Sequence, residues 1–303
     1  MEKQLRETIV NITKNHLKKN KGLVFGQNLT GVGWVDNTLP RLYEKDGVIE
    51  LPMADVAGGG IVTGAGLMGR RPVYIIRYQG YNWFNCIFIV NYACKSFEIW
   101  KRPCPIFIRG ISLEGSIGPV AGSSHISIFY KMPGIKIFSP MTSREYQNVY
   151  KNFMKNNDVF YVSEHRRSYN FIGNLKDYLP QKPDIILMSI SVTRFESEKV
   201  INFFKKTDIK VGLIHLYNLK PFNLSNEIYK YIKSSKHGVI LTDNDYEDGL
   251  LRVISSKIKD NVNCKIKLLG LKNKSAGHHK KVDNLPPDFD TIKKNIYKIV
   301  VKK

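Results

Sequence analysis

This chain predicts a parallel α/β fold in two consecutive domains, on three observations. Short apolar, β-branched runs alternate with helix-length stretches along its course, the pattern of a parallel sheet covered on both faces. The length of 303 residues suggests two domains and is ample for a core in each. A stretch at 171–184 carrying Gly173, Pro180 and Pro183 reads as the linker, which assigns 1–172 to a first domain and 184–303 to a second, smaller one.

The elements follow in order. The opening MEKQLRETIVNITKNHLKKNKG is an amphipathic helix pattern over about 2–19 and lacks the apolar core of a signal peptide. A strand at 22–26, a helix at about 35–45 and a strand at 47–50 come next. A glycine-rich helix then leads to the β-branched run Arg71-Pro72-Val73-Tyr74-Ile75-Ile76, a strand at 72–77. Helix 82–98, strand 104–109, a loop, strand 134–138, helix 142–155 and strand 158–163 complete the first series. The second opens with Asp184-Ile185-Ile186-Leu187-Met188 as a strand, then a helix near 196–206, a strand at 210–216 and a strand at 238–243. Glu247-Asp248-Gly249-Leu250 enters its next helix.

Residues 51–109 are the most informative. One acid, Asp55, stands before Gly58, Gly59, Gly60, Gly64, Gly66 and Gly69, so the helix they form can lie very close to a neighbouring chain or a flat ligand. The strand after it leaves through an aromatic cluster of Tyr78, Tyr81, Trp83 and Phe84. Acid, close-packed helix, strand and aromatic loop suit a planar heteroaromatic ring. The same residue types also suit a helix cap and ordinary aromatic packing.

Composition excludes several classes. A hydrophobic share of 43% and a charged share of 24% are ordinary for a globular protein. The formal charge of +21 invites a nucleic-acid reading, but 35 of the 47 basic residues are Lys, spread through both halves. Specific phosphate readout instead clusters Arg with aromatics, so a Lys-rich solvated surface is the reading adopted. Cys86, Cys94, Cys104 and Cys264 form no C-x-x-C pair and read as free thiols, which points to a reducing cytoplasm. No run approaches the roughly 18 apolar residues that span a membrane, so the chain reads as soluble.

Motif order carries a resemblance. Pro52-Met53-Ala54-Asp55, the glycine-rich helix and Gly69-Arg70-Arg71-Pro72-Val73 resemble the beta subunit of the thiamine-diphosphate-dependent decarboxylase component of 2-oxo acid dehydrogenases, and more broadly the pyrimidine-binding half of transketolases. Ile89-Val90-Asn91-Tyr92-Ala93-Cys94-Lys95, Pro105 to Gly110, Pro133 to Pro140, and Asp158 to Glu164 with Arg167 and Tyr169 are similar to that family's following elements. The likeness runs through most of the first 170 residues. Leu219-Lys220-Pro221-Phe222 and Gly238 to Asp243 resemble the transketolase C-terminal domain, a dimerisation and docking unit. Without the family this would be only a small α/β domain, with Asp243, Asp245, Glu247 and Asp248 as surface acids or loose metal ligands.

The resemblance implies site roles. The acid at the position of Asp55, normally Glu, hydrogen-bonds the pyrimidine N1′ of thiamine diphosphate and promotes loss of the thiazolium C2 proton. Asp is one methylene, about 1.5 Å, shorter; the reading adopted is that the local backbone compensates. Tyr81 falls where the family places an aromatic on the pyrimidine face. Arg77 stands where an uncharged residue is usual and suits an anionic substrate group or the cofactor. Gln27 and Asn28 replace a usual Gly-Glu-(Glu/Asp) on the cofactor side. The family's substrate histidine falls on Ala121, and His125 in the same loop is the candidate replacement, with Ser123 beside it for substrate binding. His278 and His279 read as surface residues.

The sequence has no Gly-Asp-Gly, the motif with which the family holds Mg²⁺ and the diphosphate. The resemblance therefore implies a split enzyme. A separate alpha-type chain supplies the Mg²⁺ and diphosphate side, no metal site is expected here, and the cofactor lies at the interface of an α2β2 assembly containing a homodimer of this chain. Three functions remain in view: a 2-oxo acid decarboxylase or carboligase subunit, a split transketolase subunit moving a ketol unit, and a non-catalytic structural paralogue.

Overall fold

The computed structural model describes residues 3–20, 22–114, 120–275 and 284–301, so His278 and His279 lie outside the described residues. The chain divides into two compact units, one of Met1–Leu113 with Ser124–Asn174 and one of Glu114–Ser123 with Leu175–Lys303.

The first unit carries strands β1 (Leu23–Gln27), β2 (Val48–Leu51), β3 (Pro72–Ile76), β4 (Phe107–Ser112), β5 (Ile135–Phe138) and β6 (Val159–His165). Their order is β2-β1-β3-β4-β6-β5, and every pairing within the unit is parallel. Parallel strands are buried on both faces, and here β3, β4 and β6 are buried at every position. Helices Leu5–Lys19 and Ser143–Lys155 pack together. The second starts where Thr142 Oγ1 accepts from the Glu145 amide at 3.2 Å and the Glu145 carboxylate reaches back to the Met141 amide at 2.9 Å, a reciprocal N-terminal cap. Under it, Phe107, Tyr146, Phe153 and Phe160 meet edge to face with ring centroids 5.2–6.1 Å apart.

Two expected elements differ. The region 35–45 is not a helix. Trp34, Val35, Asp36 and Asn37 turn left-handed, with φ between 52° and 56°, and only Glu44–Asp46 makes a single 3-10 turn. Pro40 has no amide hydrogen to continue a helix. The turn is held instead by burial of Val35, by Trp34 Nε1 donating to the Leu42 carbonyl at 3.3 Å, and by the edge contact of Trp34 with Tyr43. The 82–98 helix is interrupted: Asn82–Asn85 is α, Ile89–Ala93 is π and Cys94–Trp100 is α again. The strand expected at 104–109 runs from Phe107 to Ser112.

The second unit carries β7 (Ile185–Ile190), β8 (Val211–Leu216), a short β9 (Asn218–Lys220), β10 (Val239–Tyr246) and β11 (Ile266–Leu271). A four-stranded parallel sheet runs in the order β11-β10-β7-β8. Ile185, Leu187, Leu213 and Ile240 meet Val200, Phe204, Ile292 and Ile296 from helices Thr193–Phe204 and Phe289–Val300 in its core. The cysteines are free, with Cys86, Cys94 and Cys104 buried. Among the described residues no helix is long and apolar enough to cross a membrane.

Candidate cofactor cleft

In an open parallel sheet, ligands bind beyond the carboxyl ends of the strands where the strand order reverses. In the first unit that place is between β1 and β3, because the chain passes from β1 outward to β2 and then returns to the other side of β1. A cleft of about 100 Å³ opens there, lined by Gln27 at the end of β1 and Asn28 after it, Met53 after β2, Ile75 and Ile76 at the end of β3, and Arg77, Tyr78, Tyr81 and Asn85 beyond it.

Each wall has a local cause. Asn28 takes φ 51°, a left-handed conformation that asparagine tolerates, and turns the chain out of β1. The Glu50 carboxylate accepts from the Leu29 and Thr30 amides and holds that turn. The Gln27 side-chain nitrogen is buried without a hydrogen-bond partner, an unspent donor at the cleft. Tyr81 is 37% exposed, its ring tilted against Tyr78 at 6.2 Å. The Arg77 guanidinium lies 5.3 Å from the Tyr78 ring centre and that of Arg166 lies 5.6 Å from it, with Arg166 also 2.8 Å from Asp36. Arg77 is thus the guanidinium that lines the cleft, whereas Arg166 is paired with Asp36.

Asp55 is half-buried at the first position of the glycine-rich helix, Asp55–Leu67. Asn85, which lines the cleft, donates from Nδ2 to Asp55 Oδ1 at 3.0 Å and to the Tyr81 carbonyl at 3.0 Å. Its own Oδ1 accepts from the buried Tyr74 hydroxyl. Burial first, then the neighbouring Cys86 and Asp55, push the Tyr74 phenol far above its ordinary range, so it remains a donor. On its other side Asp55 borders an open apolar shelf of Val56, Phe84 and Phe88.

The glycines explain how these groups meet. A Cβ on Gly59 would sit 2.1 Å from the Asn85 carbonyl oxygen, and one on Gly58 would sit 2.9 Å from the Tyr74 hydroxyl. Only a bare backbone lets the helix come this close.

His125 and Ser123 do not line the cleft. The His125 backbone amide donates to Gln79 Oε1 at 3.0 Å, and Gln79 in turn donates to Ser163 Oγ at 2.7 Å and to the Gly110 carbonyl at 3.1 Å. The backbone at His125 is therefore tied to the same Gln79–Tyr81 turn that carries Tyr81, and burial pulls the imidazole pKa below the ordinary value. Ser123, buried with φ 111°, groups with the other unit. The structure thus brings Gln27, Arg77, Tyr81 and, through Asn85, Asp55 to one place.

Asn85, Tyr74 and Gln79 escaped the sequence reading. Asn82 and Asn85 are polar residues three apart in the otherwise apolar and aromatic run YNWFNCIFIV, the one signal that marked them. Arg109, Glu164 and Tyr169, all within the resemblance motifs, do structural work. Glu164 accepts from Arg109 Nε at 2.7 Å, Arg109 Nη2 at 2.9 Å, and the Tyr146 and Tyr169 hydroxyls at 2.8 Å, all fully buried. Burial opposes the Arg109 charge, but Glu164 and the two tyrosines outweigh it and raise its pKa. Removing one partner of such a pair costs about 3–5 kcal/mol.

The pieces fit a flat heteroaromatic ligand: an unspent amide donor, a carboxylate held through Oδ1 with no hydrogen bond to Oδ2 among the described residues, an exposed aromatic ring and apolar walls. Among the described residues no three acid, histidine or cysteine side chains gather as a metal site.

Residues 3–171 match the family described as transketolase, pyrimidine binding domain. The 2-oxoisovalerate dehydrogenase subunit beta of Bacillus subtilis is 25% identical over 252 residues, 77% of this chain and 76% of that one. The pyruvate dehydrogenase E1 component subunit beta of Staphylococcus epidermidis is 23% identical over 256 residues, covering 77% and 78%. A solved structure described as a split gene transketolase, inactive beta4 tetramer, shares the fold with a TM-score of 0.76 at 10% identity, over 99% of each chain.

Proposed function

Since this chain belongs to the family of transketolase pyrimidine-binding domains, we propose that it is the beta-type subunit of a split thiamine-diphosphate-dependent enzyme acting on a 2-oxo acid, completed by a separate alpha-type chain. The observation that carries this reading is the cleft at the strand-order reversal, where Gln27, Tyr81 and the Asn85-bound Asp55 converge. When bound, thiamine diphosphate supplies the electron sink that lets a 2-oxo acid lose carbon dioxide.

The chain's own residues then divide the work. Asp55 offers Oδ2 to the pyrimidine N1′ and shares its proton, Tyr81 presents a ring for stacking, and Gln27 offers its unspent amide. Arg77 attracts the substrate carboxylate with a guanidinium fork. His125, kept neutral by burial, is the group suited to accept a proton near the substrate. The Mg²⁺ and diphosphate fall to the partner, since the sequence has no Gly-Asp-Gly. Exposed large apolar side chains are frequent between 53 and 100, Met53, Ile61, Met68, Trp83 and Trp100 among them, and Val56, Phe84 and Phe88 share a shelf beside Asp55, which supports a partner that covers them. Ordinary monomer surfaces rarely gather so many.

The test is hydrogen exchange at the cofactor C2 in the complex of this chain with its alpha-type partner. Asp55→Ala should abolish the exchange and leave assembly intact; exchange retained at the wild-type rate would make Asp55 a helix cap and nothing more. A wild-type complex that exchanges no faster than free cofactor would overturn the reading in favour of the non-catalytic paralogue, which the Asp at a usual Glu position and Ala121 at the usual His position favour. The full-length fold match to a split transketolase favours a second enzyme reading, ketol transfer between sugars. Release of carbon dioxide from 2-oxo acids by the complex, without ketol transfer, separates the two.

A further inference from the structure

We propose that Tyr74 and Asn85 are positioning residues that fix the Asp55 carboxylate, holding Oδ1 and leaving Oδ2 as the oxygen presented to the ligand. The inference rests on the subunit reading above for what that ligand is, but the arrangement is visible without it.

The orientation of the Asn85 amide follows from its partners. One end meets two acceptors, the Asp55 carboxylate and the Tyr81 carbonyl, each at 3.0 Å, so that end is the NH₂ group. Both its hydrogens are thereby used. The other end is the oxygen, and it faces Tyr74, whose hydroxyl must donate to it. A flipped amide would set its oxygen against a carboxylate and a carbonyl at once. Tyr74 is fully buried and Asn85 nearly so, which leaves the amide no water to turn to. The Asp55 carboxylate is thus pinned by one oxygen to a group that is itself pinned at both ends.

Two further observations place this device at Asp55. Gly58 and Gly59, three and four residues after the acid, are the positions where a side chain would strike Tyr74 and the Asn85 backbone. The glycines next to the acid therefore admit the two groups that hold it. An Asp side chain reaches about 1.5 Å less far than Glu, and misplacement by about 1 Å can cost roughly 10²-fold in rate. Anchoring the short acid at a fixed point is one way its remaining oxygen is kept in place.

Two measurements test this. In the full-length chain labelled with ¹⁵N, the Asn85 side-chain amide signals, assigned by their loss in Asn85→Leu, should move when Asp55→Asn is introduced and broaden or shift in Tyr74→Phe. An Asn85 amide indifferent to both changes overturns the proposal and leaves the subunit reading untouched. In the complex with the alpha-type chain, Tyr74→Phe should weaken calorimetric thiamine diphosphate binding about tenfold, the scale of an orphaned buried acceptor. In an Asp55→Ala background the same change should cost nothing more. An equal loss in both backgrounds means that Tyr74 acts on folding rather than on Asp55, and overturns the proposal. Failure of the subunit reading shows up separately, as C2 exchange in the wild-type complex no faster than in free cofactor.

Discussion

At the scale of single residues, the glycine-rich helix behaves as two faces with opposite rules. Gly59 has the Asn85 carbonyl 2.1 Å from its missing Cβ, whereas Gly64 has nothing within 4 Å. Gly59→Ala must therefore push the Asn82–Asn85 turn away, and a backbone carbonyl has no flexible end to yield. Thermal or urea unfolding of the chain should show a loss of about 3 kcal/mol. Gly64→Ala should gain about 0.5–1 kcal/mol in the same assay, because alanine favours the helix and meets no atom there. Equal effects would mean that the helix does not lie against Asn85. The substrate side makes a second contrast. Arg77→Ala should chiefly raise the KM for an anionic 2-oxo acid, since the fork contributes to binding before the reaction. His125→Ala should lower kcat by roughly 10²-fold if the imidazole moves a proton. Unchanged kinetics in both variants would place the substrate elsewhere.

At the scale of elements, the contact that joins helix Leu5–Lys19, the start of β3 and helix Ser143–Lys155 is sensitive to acid. His16 is fully buried, with Nδ1 2.9 Å from the Tyr150 hydroxyl and Nε2 2.7 Å from the Arg71 carbonyl. A carbonyl accepts only, so Nε2 carries the hydrogen and Nδ1 accepts from Tyr150. Gly22 beside it leaves room for the ring, since a Cβ there would lie 2.2 Å from His16 Cδ2. Burial lowers the His16 pKa below its ordinary 6.5, the Arg71 carbonyl opposes that, and the Arg71 charge adds to it. The unfolded chain therefore takes up the proton first as pH falls. Stability is full above pH 6.5, falls as the pH drops through 6.5 towards the lowered folded value, and levels below it. The buried His125 acts with the same sign. Urea unfolding between pH 7 and pH 5 should show this slope, and His16→Gln should flatten it by about one proton's share; an unchanged slope would mean that His16 titrates normally.

At the scale of the whole molecule, the exposed apolar side chains and the missing diphosphate motif make one prediction. The chain alone should associate with itself and bind thiamine diphosphate at most weakly, which sedimentation and calorimetric titration check. Micromolar binding by the isolated chain would remove the need for an alpha-type partner. Addition of that partner should bury exposed apolar side chains such as Met53, Ile61, Trp83 and Phe88 and quench or shift the fluorescence of Trp83 and Trp100, both more than half exposed in this chain.

The sequence by itself determined the class of fold, because strand and helix periodicities report burial within a few residues along the chain. The run of β-branched residues at β3, the helix at 142–155 and the glycines after Asp55 were all legible in that way. Motif order determined the family. What the sequence misjudged was also local: Pro40 and the contacts of Trp34 overrode the helical pattern at 35–45. The tertiary structure alone decided which side chains meet. Asn85 reaches Asp55 across 30 positions, and Arg109 reaches Glu164 across 55. Those distances along the chain are closed by the order of strands in the sheet and by the glycines that let one helix lie against a turn. A hydrogen bond depends on position to within a fraction of an ångström, and no one-dimensional pattern carries that.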